Sequence, residues 1–243
     1  MNFRPSENAN ATRTETVSTA EIVGEYGPFP AVGNVGGVSF DGSSIWFAAG
    51  DSMQAIDPAT GTMVGSIGIP ARAGTAFDGH HLYQIADDRI QKIDPALGRV
   101  VATIPAPPGA ACSGLAWAEG SLWVAQYRER TIHEIDPQTG AIRRTITSNR
   151  YVTGVTWVDG ELWHGTWEDD RSDLRRIDAR TGEVQERLEM PAGITVSGLE
   201  SDGGDRFFCG GGTSAKIRVV RRPARRTAVG TSDKAALVEP PAR

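Results

Sequence analysis

Hydrophobic and polar positions fall into short alternating runs broken by glycine-containing turns, and the runs recur at a near-constant period. The clearest marker is the triplet Ile-Asp-Pro, which begins at Ile56, Ile93 and Ile135 and reappears as Ile-Asp-Ala at Ile177, giving spacings of 37, 42 and 42 residues. Each unit reads as glycine, apolar, small, aromatic, then a tight turn. A Leu or Ile with Trp or Tyr follows, then a polar loop, Ile-Asp-Pro-x-x-Gly and a last alternating run. That order predicts four short strands per unit.

In the first unit the predicted strands are Val38–Phe40, Ile45–Ala48, Met53–Ile56 and Met63–Ile67. The second runs over 75–104, the third over 115–146 and the fourth over 155–188. Glu119-Gly120 and Asp159-Gly160 supply hairpin turns that need a positive φ. The fifth unit, 199–220, has only three strands before Arg221-Arg222-Pro223. Its missing outer strand is found at the other end of the chain, where 21–26 followed by Pro28 has the form of 183–188 followed by Pro191. The pattern therefore predicts an all-β, five-bladed β-propeller with four-stranded antiparallel blades, the last closed by an N-terminal strand that protects its edge. A four-bladed ring with an accessory hairpin is the alternative, because the fifth unit is the most degenerate. Residues 1–19 are expected to be a flexible N-terminal segment, 20–223 the propeller and 224–243 a disordered tail.

Two repeated features read as structure. Asp57, Asp94, Asp136 and Asp178 precede the turn between third and fourth strands, where a carboxylate accepts bonds from the turn's own amides. Trp46, Tyr83, Trp123, Trp163 and Phe208 hold one second-strand position and are expected to pack between blades.

Charge and targeting narrow the partners. The 25 Lys+Arg against 30 Asp+Glu give a net charge of -5, which argues against nucleic acid as the main partner. The basic cluster Arg221, Arg222, Arg225 and Arg226 reads as a solvated end. Residues 1–18 hold no apolar core of signal-peptide length, and nothing approaches the ~20 apolar residues of a membrane span. A cytoplasmic monomer with Cys112 and Cys209 reduced is expected.

Candidate chemistry lies on the face built by the inter-blade loops (27–36, 70–74, 105–113, 147–153 and 190–197) and the loops joining second to third strands. Glu200 stands at an innermost-strand position that is Ser39, Ala76, Ala116 and Thr156 in the other units. There, either desolvation raises its pKa toward that of a general acid or base, or a shift of register leaves it solvated. Phe47, Gln84, Val124, His164 and Cys209 share a second-strand position, three polar copies suggesting a wet cavity. His164 and Cys209 sit on adjacent blades, as an imidazole and the thiol it activates would. Arg72, Arg128, Arg150 and Lys216 offer clamps for a carboxylate or phosphate. The acidic run 168–173, with Asp51, Asp87 and Asp88, makes a rim that reads as solvated and matches no metal-ligand spacing. The glycine-rich 209–216 lacks the Gly-Lys-Ser/Thr ending of a phosphate loop.

Blade four, through Gly160-Glu161-Leu162-Trp163-His164-Gly165-Thr166-Trp167 and Ser172-Asp173-Leu174-Arg175-Arg176-Ile177-Asp178, resembles a blade of the bacterial and plant glutaminyl cyclotransferases. That resemblance implies five blades and small-molecule chemistry. In that family the corresponding strand carries Leu-Tyr-Glu-Ser-Thr with a catalytic Glu, whose place is taken here by His164. More distantly the repeat resembles the streptogramin lyase and gluconolactonase propellers, which hold a metal at the channel mouth. The combined expectation is a small-molecule-processing lyase, hydrolase or cyclotransferase, its site near blades four, five and one. Glu200, His164 and Cys209 would be catalytic; Arg72, Tyr127, Arg128, Trp167, Glu168 and Lys216 would bind substrate. No metal or cofactor is assigned, a divalent cation being the less favoured option. The opposing reading is a non-catalytic propeller that binds a metabolite or protein on the same face, with Trp167, Tyr127 and Arg128 as anchors.

Overall fold

The computed structural model describes residues 15–109 and 111–224. Each predicted unit folds as one antiparallel sheet whose strands run in order from the axis outward. Blade 1 is β3 (Val38–Phe40), β4 (Ile45–Ala48), β5 (Met53–Ile56) and β6 (Met63–Ile67). Blade 2 is β7 (Thr75–Phe77), β8 (Leu82–Ala86), β9 (Arg89–Asp94) and β10 (Arg99–Pro105). Blade 3 is β11 (Cys112–Ala118), β12 (Ser121–Gln126), β13 (Thr131–Ile135) and β14 (Ile142–Thr147). Blade 4 is β15 (Val152–Val158), β16 (Glu161–Glu168), β17 (Arg171–Ile177) and β18 (Val184–Glu189). Blade 5 is β19 (Gly198–Ser201), β20 (Arg206–Gly210) and β21 (Ile217–Arg221), and its outer strand is β2 (Ile22–Tyr26) from the N-terminal end. The ring is thus closed by an antiparallel β2–β21 pair, Tyr26 opposite Ile217 and Ile22 opposite Val220.

One strand has no counterpart in the repeat. β1 (Thr16–Thr19) pairs in parallel with β18, making blade 4 five-stranded. Its Thr-Val-Ser-Thr sequence is mostly exposed, so it has no alternating apolar signal. It is held by the ladder, by Ala20 N–H donating to Glu189 O at 2.8 Å and by Arg187 paired with Glu15 at 3.0 Å. Of the end segments expected at 1–19 and 224–243, residues 1–14 and 225–243 lie outside the described residues.

The axis is where the fold is tightest. Gly37, Gly74, Gly114, Gly154 and Gly198 occupy one repeat position, in or just before the five innermost strands, and each faces the next blade's backbone. A Cβ on Gly154 would stand 2.4 Å from Leu199 N, and one on Gly198 2.6 Å from Gly36 O, so the last blade closes on the first. No side chain fits at that spacing.

Between blades lie apolar layers, one per interface. The repeated second-strand aromatics reach forward into them: Tyr83 stacks on Trp117 at 5.7 Å, Trp123 on Trp157 at 5.6 Å, and Trp163 meets Phe207 at 5.0 Å. Each such ring is worth about 2–3 kcal/mol in buried area. The repeated aspartates serve their turns, Asp136 Oδ1 accepting from the amides of Gln138 and Thr139 at 2.9 Å each.

Part of the basic cluster is not a solvated end. Arg222 is buried and donates to Asp159 at 2.6 Å, Glu161 at 3.1 Å and Gly204 O at 3.0 Å, tying the exit of blade 5 to the first hairpin of blade 4. Its neighbour Arg221 pairs with Glu21 at 2.8 Å. Arg225 and Arg226 fall outside the described residues.

Candidate functional site

The inter-blade loops bring one small residue from each blade to the axis, immediately before each ring glycine: Gly36, Ala73, Ser113, Thr153 and Ser197. They floor an axial cavity of about 260 Å³ whose walls add Asn34, Arg72, Cys112 and Tyr127. Ser197 Oγ donates to Val35 O at 2.6 Å and accepts from Gly212 N–H at 3.0 Å; Ser113 Oγ donates to Val152 O at 2.7 Å. Thr153 differs. Its residue is 7% exposed, yet Oγ1 makes no hydrogen bond among the described residues. A buried hydroxyl without a partner costs about 1–3 kcal/mol, and this one lies against Gly165, where an added Cβ would stand 2.9 Å from it.

A second cavity of about 400 Å³ adjoins the first between blades 2 and 3. Arg72, Ala73 and Cys112 line both. The remaining wall, Pro70, Ile85, Ala86 and Ala111, is aliphatic, with Asp87 the remaining charged lining residue. Among the described residues Arg72 pairs with Asp51 alone, at 3.0 Å, and both side chains are largely exposed. Exposed pairs of this kind contribute little, so the guanidinium can exchange Asp51 for a ligand at small cost. Burial pushes the Cys112 thiol up to about 11, which leaves it a neutral wall group.

Tyr127 begins an aromatic and ionic ledge on the blade 3–blade 4 side. It stacks on Tyr151 at 4.8 Å, and Arg130 lies over the Tyr151 ring at 4.5 Å. Burial, then the neighbouring Tyr151 and Glu168, raise the Tyr127 pKa, so the phenol stays protonated. Glu168 accepts from Arg130 at 2.6 Å and faces Arg150 Nε at 3.8 Å, so its carboxylate is already matched by two arginines. Arg128 is exposed and Trp167 half-buried beside this ledge. Lys216 is elsewhere: it pairs with Glu25 at 2.8 Å, and with Arg218, 2.9 Å from the same carboxylate, holds the closing strand β2.

The three residues expected to be catalytic do not meet. Glu200 lies two residues beyond the ring glycine Gly198, toward the opposite face of the propeller from the axial cavity. There its Oε1 accepts from Thr156 Oγ1 at 2.5 Å and from Ser201 N–H at 2.8 Å, and the Phe40 amide also bonds the carboxyl. Burial outweighs these donors and raises its pKa to about 7, although the side chain keeps a partly open side. Its strand keeps regular register there, Glu200 standing opposite Phe208 in the β19–β20 ladder.

The second-strand ring Phe47, Gln84, Val124, His164 and Cys209 is no wet cavity, each residue being at most 1% exposed. Period-two alternation turns these side chains toward the preceding blade. Cys209 packs with Trp163, Leu174 and Val196 of the blade 4 side, whereas His164 pairs across to Val155, whose cluster includes Ala116 and Trp123 of blade 3. The sheet of blade 4 therefore stands between thiol and imidazole. Burial raises the Cys209 pKa to about 12, and burial with the neighbouring Arg175 lowers His164 to about 4, so both are neutral. Beside His164, Arg175 forks onto Asp173 at 2.7 and 3.1 Å; Thr166 Oγ1 donates to the same carboxylate at 2.5 Å, and Asn149 caps the guanidinium at 2.5 Å. This is a satisfied buried network.

No protein-family model matches the chain, and no curated protein sequence matches it. Solved structures do. A glutaminyl cyclase of Myxococcus xanthus superposes with a TM-score of 0.71 at 17% identity, covering 86% of this chain and 98% of that one. The WD40 β-propeller domain of Doa1 gives 0.51 at 15% identity, over 76% and 63%. Both likenesses are of fold.

The floor residues Ser113, Thr153 and Ser197 are absent from the sequence-based site. Their signal was present: every repeat carries a small residue directly before the innermost strand's glycine. Of the residues expected in the site, Arg72 and Tyr127 line the axial cavity. Among the described residues no group of three or more His, Cys, Asp or Glu is placed to hold a metal ion.

Proposed function

We propose that this propeller binds a small carboxylate-bearing molecule at its axial mouth, with Arg72 taking the acid and the Asn34 amide a polar group beside it. The observation that carries this reading is an exposed, weakly engaged arginine on the wall shared by two adjoining cavities. Concave, mostly apolar sites with a few converging polar groups are where small ligands bind. The test is a thermal-shift and calorimetric screen of small carboxylic acids against their amides. Acids should bind and amides should not, and Arg72→Ala should weaken the acids about tenfold, the scale of one charge-assisted bond at a partly exposed site. Equal responses to acid and amide would remove Arg72 from the site.

A second reading is that the bound molecule is turned over, as a lyase, hydrolase or cyclotransferase would do. It draws on the fold shared with the M. xanthus glutaminyl cyclase. Incubation with a peptide bearing N-terminal glutamine, followed by mass spectrometry, tests it: loss of one ammonia at a rate proportional to protein supports turnover. An unchanged peptide argues against that cyclisation.

A further inference from the structure

We infer that the cavity between blades 2 and 3 is the side-chain pocket of the same site, and that its ligand is an N-acylated aliphatic α-amino acid, free or as the C-terminal residue of a peptide. The inference rests on the axial-mouth reading and adds the identity of the ligand to it.

The two cavities are chemically unlike. The axial one is lined by the polar residues Asn34, Ser113, Thr153 and Ser197, of which Asn34 is exposed. The other is walled by Pro70, Ile85, Ala86 and Ala111, without an aromatic ring or hydroxyl. Arg72 lines both, so a carboxylate held by it sits at their junction. From a carbon attached to that carboxylate, one substituent enters the polar lobe and another the aliphatic lobe. The polar lobe suits an amide, because the Asn34 side chain can donate to its carbonyl or accept from its N–H. A carbon bearing a carboxylate, an amide nitrogen and an alkyl group is that of an acylated aliphatic amino acid. Asp87, exposed at the aliphatic lobe, disfavours an acidic side chain there.

Calorimetry on the full chain separates the claims. N-acetylleucine should bind about 10- to 100-fold more tightly than N-acetylglycine, from burial of one leucine-sized side chain. N-acetylleucinamide should not bind. Ala111→Phe, which adds bulk at an exposed wall position, should bring N-acetylleucine down to the affinity of N-acetylglycine in the same variant. A tripeptide ending in leucine that binds more tightly than N-acetylleucine assigns a peptide terminus; the reverse order assigns the free acyl amino acid. If both acids bind equally and both weaken in Arg72→Ala, the side-chain pocket is wrong and the axial-mouth reading stands. If neither acid binds, or Arg72→Ala changes nothing, both fall.

Discussion

Replacing Glu200 by Gln should make the protein more stable at pH 8 and leave it little changed at pH 4. In the folded chain burial raises this carboxyl from 4.5 to about 7, against the pull of Thr156, Ser201 and the Phe40 amide. Between those two values the folded state holds a proton that the unfolded state has released. Stability therefore falls as pH rises from about 4.5, and the loss is complete above about 7. At about 1.4 kcal/mol per pKa unit the change is about 3 kcal/mol. This is an upper bound, since the open side of the carboxyl admits water. Glutamine keeps the acceptor for Thr156 and Ser201 but carries no charge, so the variant lacks this slope. Paired urea melts from pH 4 to 9 isolate the residue, because every other titrating group is common to both proteins. The variant-minus-native difference should climb through the neutral range toward about 3 kcal/mol, or about 6–12 °C in melting temperature for a domain of this size. A difference that stays flat across that range would show that Glu200 is ionised and solvated in the folded protein.

Gly154→Ala should unfold the protein or lower its melting temperature by more than 10 °C or so, its Cβ falling 2.4 Å from Leu199 N, whereas Gly68→Ala, with nothing within 4 Å, should be silent. Equal melts for the two would refute the backbone contact around the axis. Arg175→Met should cost about 3–5 kcal/mol in chemical denaturation by leaving the Asp173 carboxylate buried and unpaired, and Asp173→Asn with Arg175→Met should recover part of it. Deleting residues 1–26 removes β2 and exposes β21 as an edge, so aggregation in size-exclusion chromatography is expected. Deleting 1–19, which among the described residues removes β1, should leave a monodisperse, slightly less stable protein.

The architecture was legible because a propeller repeats its own instructions. Ile-Asp-Pro, the hairpin glycines and the second-strand aromatics recur, and the closing strand announced itself by matching 183–188. β1 was not legible: a four-residue polar strand held by its backbone leaves no side-chain pattern. The candidate site was harder for a related reason. Departures from a repeat mark positions under different constraints, but not which way a side chain points. His164 and Cys209 depart together yet occupy separate inter-blade layers, and Glu200 departs on the far side of the glycine ring. The residues that floor the cavity conform to the repeat instead, each a small residue beside a glycine. Their significance depends on five copies meeting at one axis. Arg72 and Tyr127 were within reach of sequence because charged and aromatic residues in inter-blade and second-to-third loops point to the mouth of a propeller.

Amide chemical-shift mapping of the isotope-labelled protein titrated with N-acetylleucine tests the axial site most directly. Saturable shifts should converge on Ala73, Ser113, Thr153 and Ser197 and extend to Ile85 and Ala86. Shifts confined to another surface, such as the cavity beside Asp159 and Arg222, or none at millimolar ligand, would contradict the assignment of the axial mouth as the binding site.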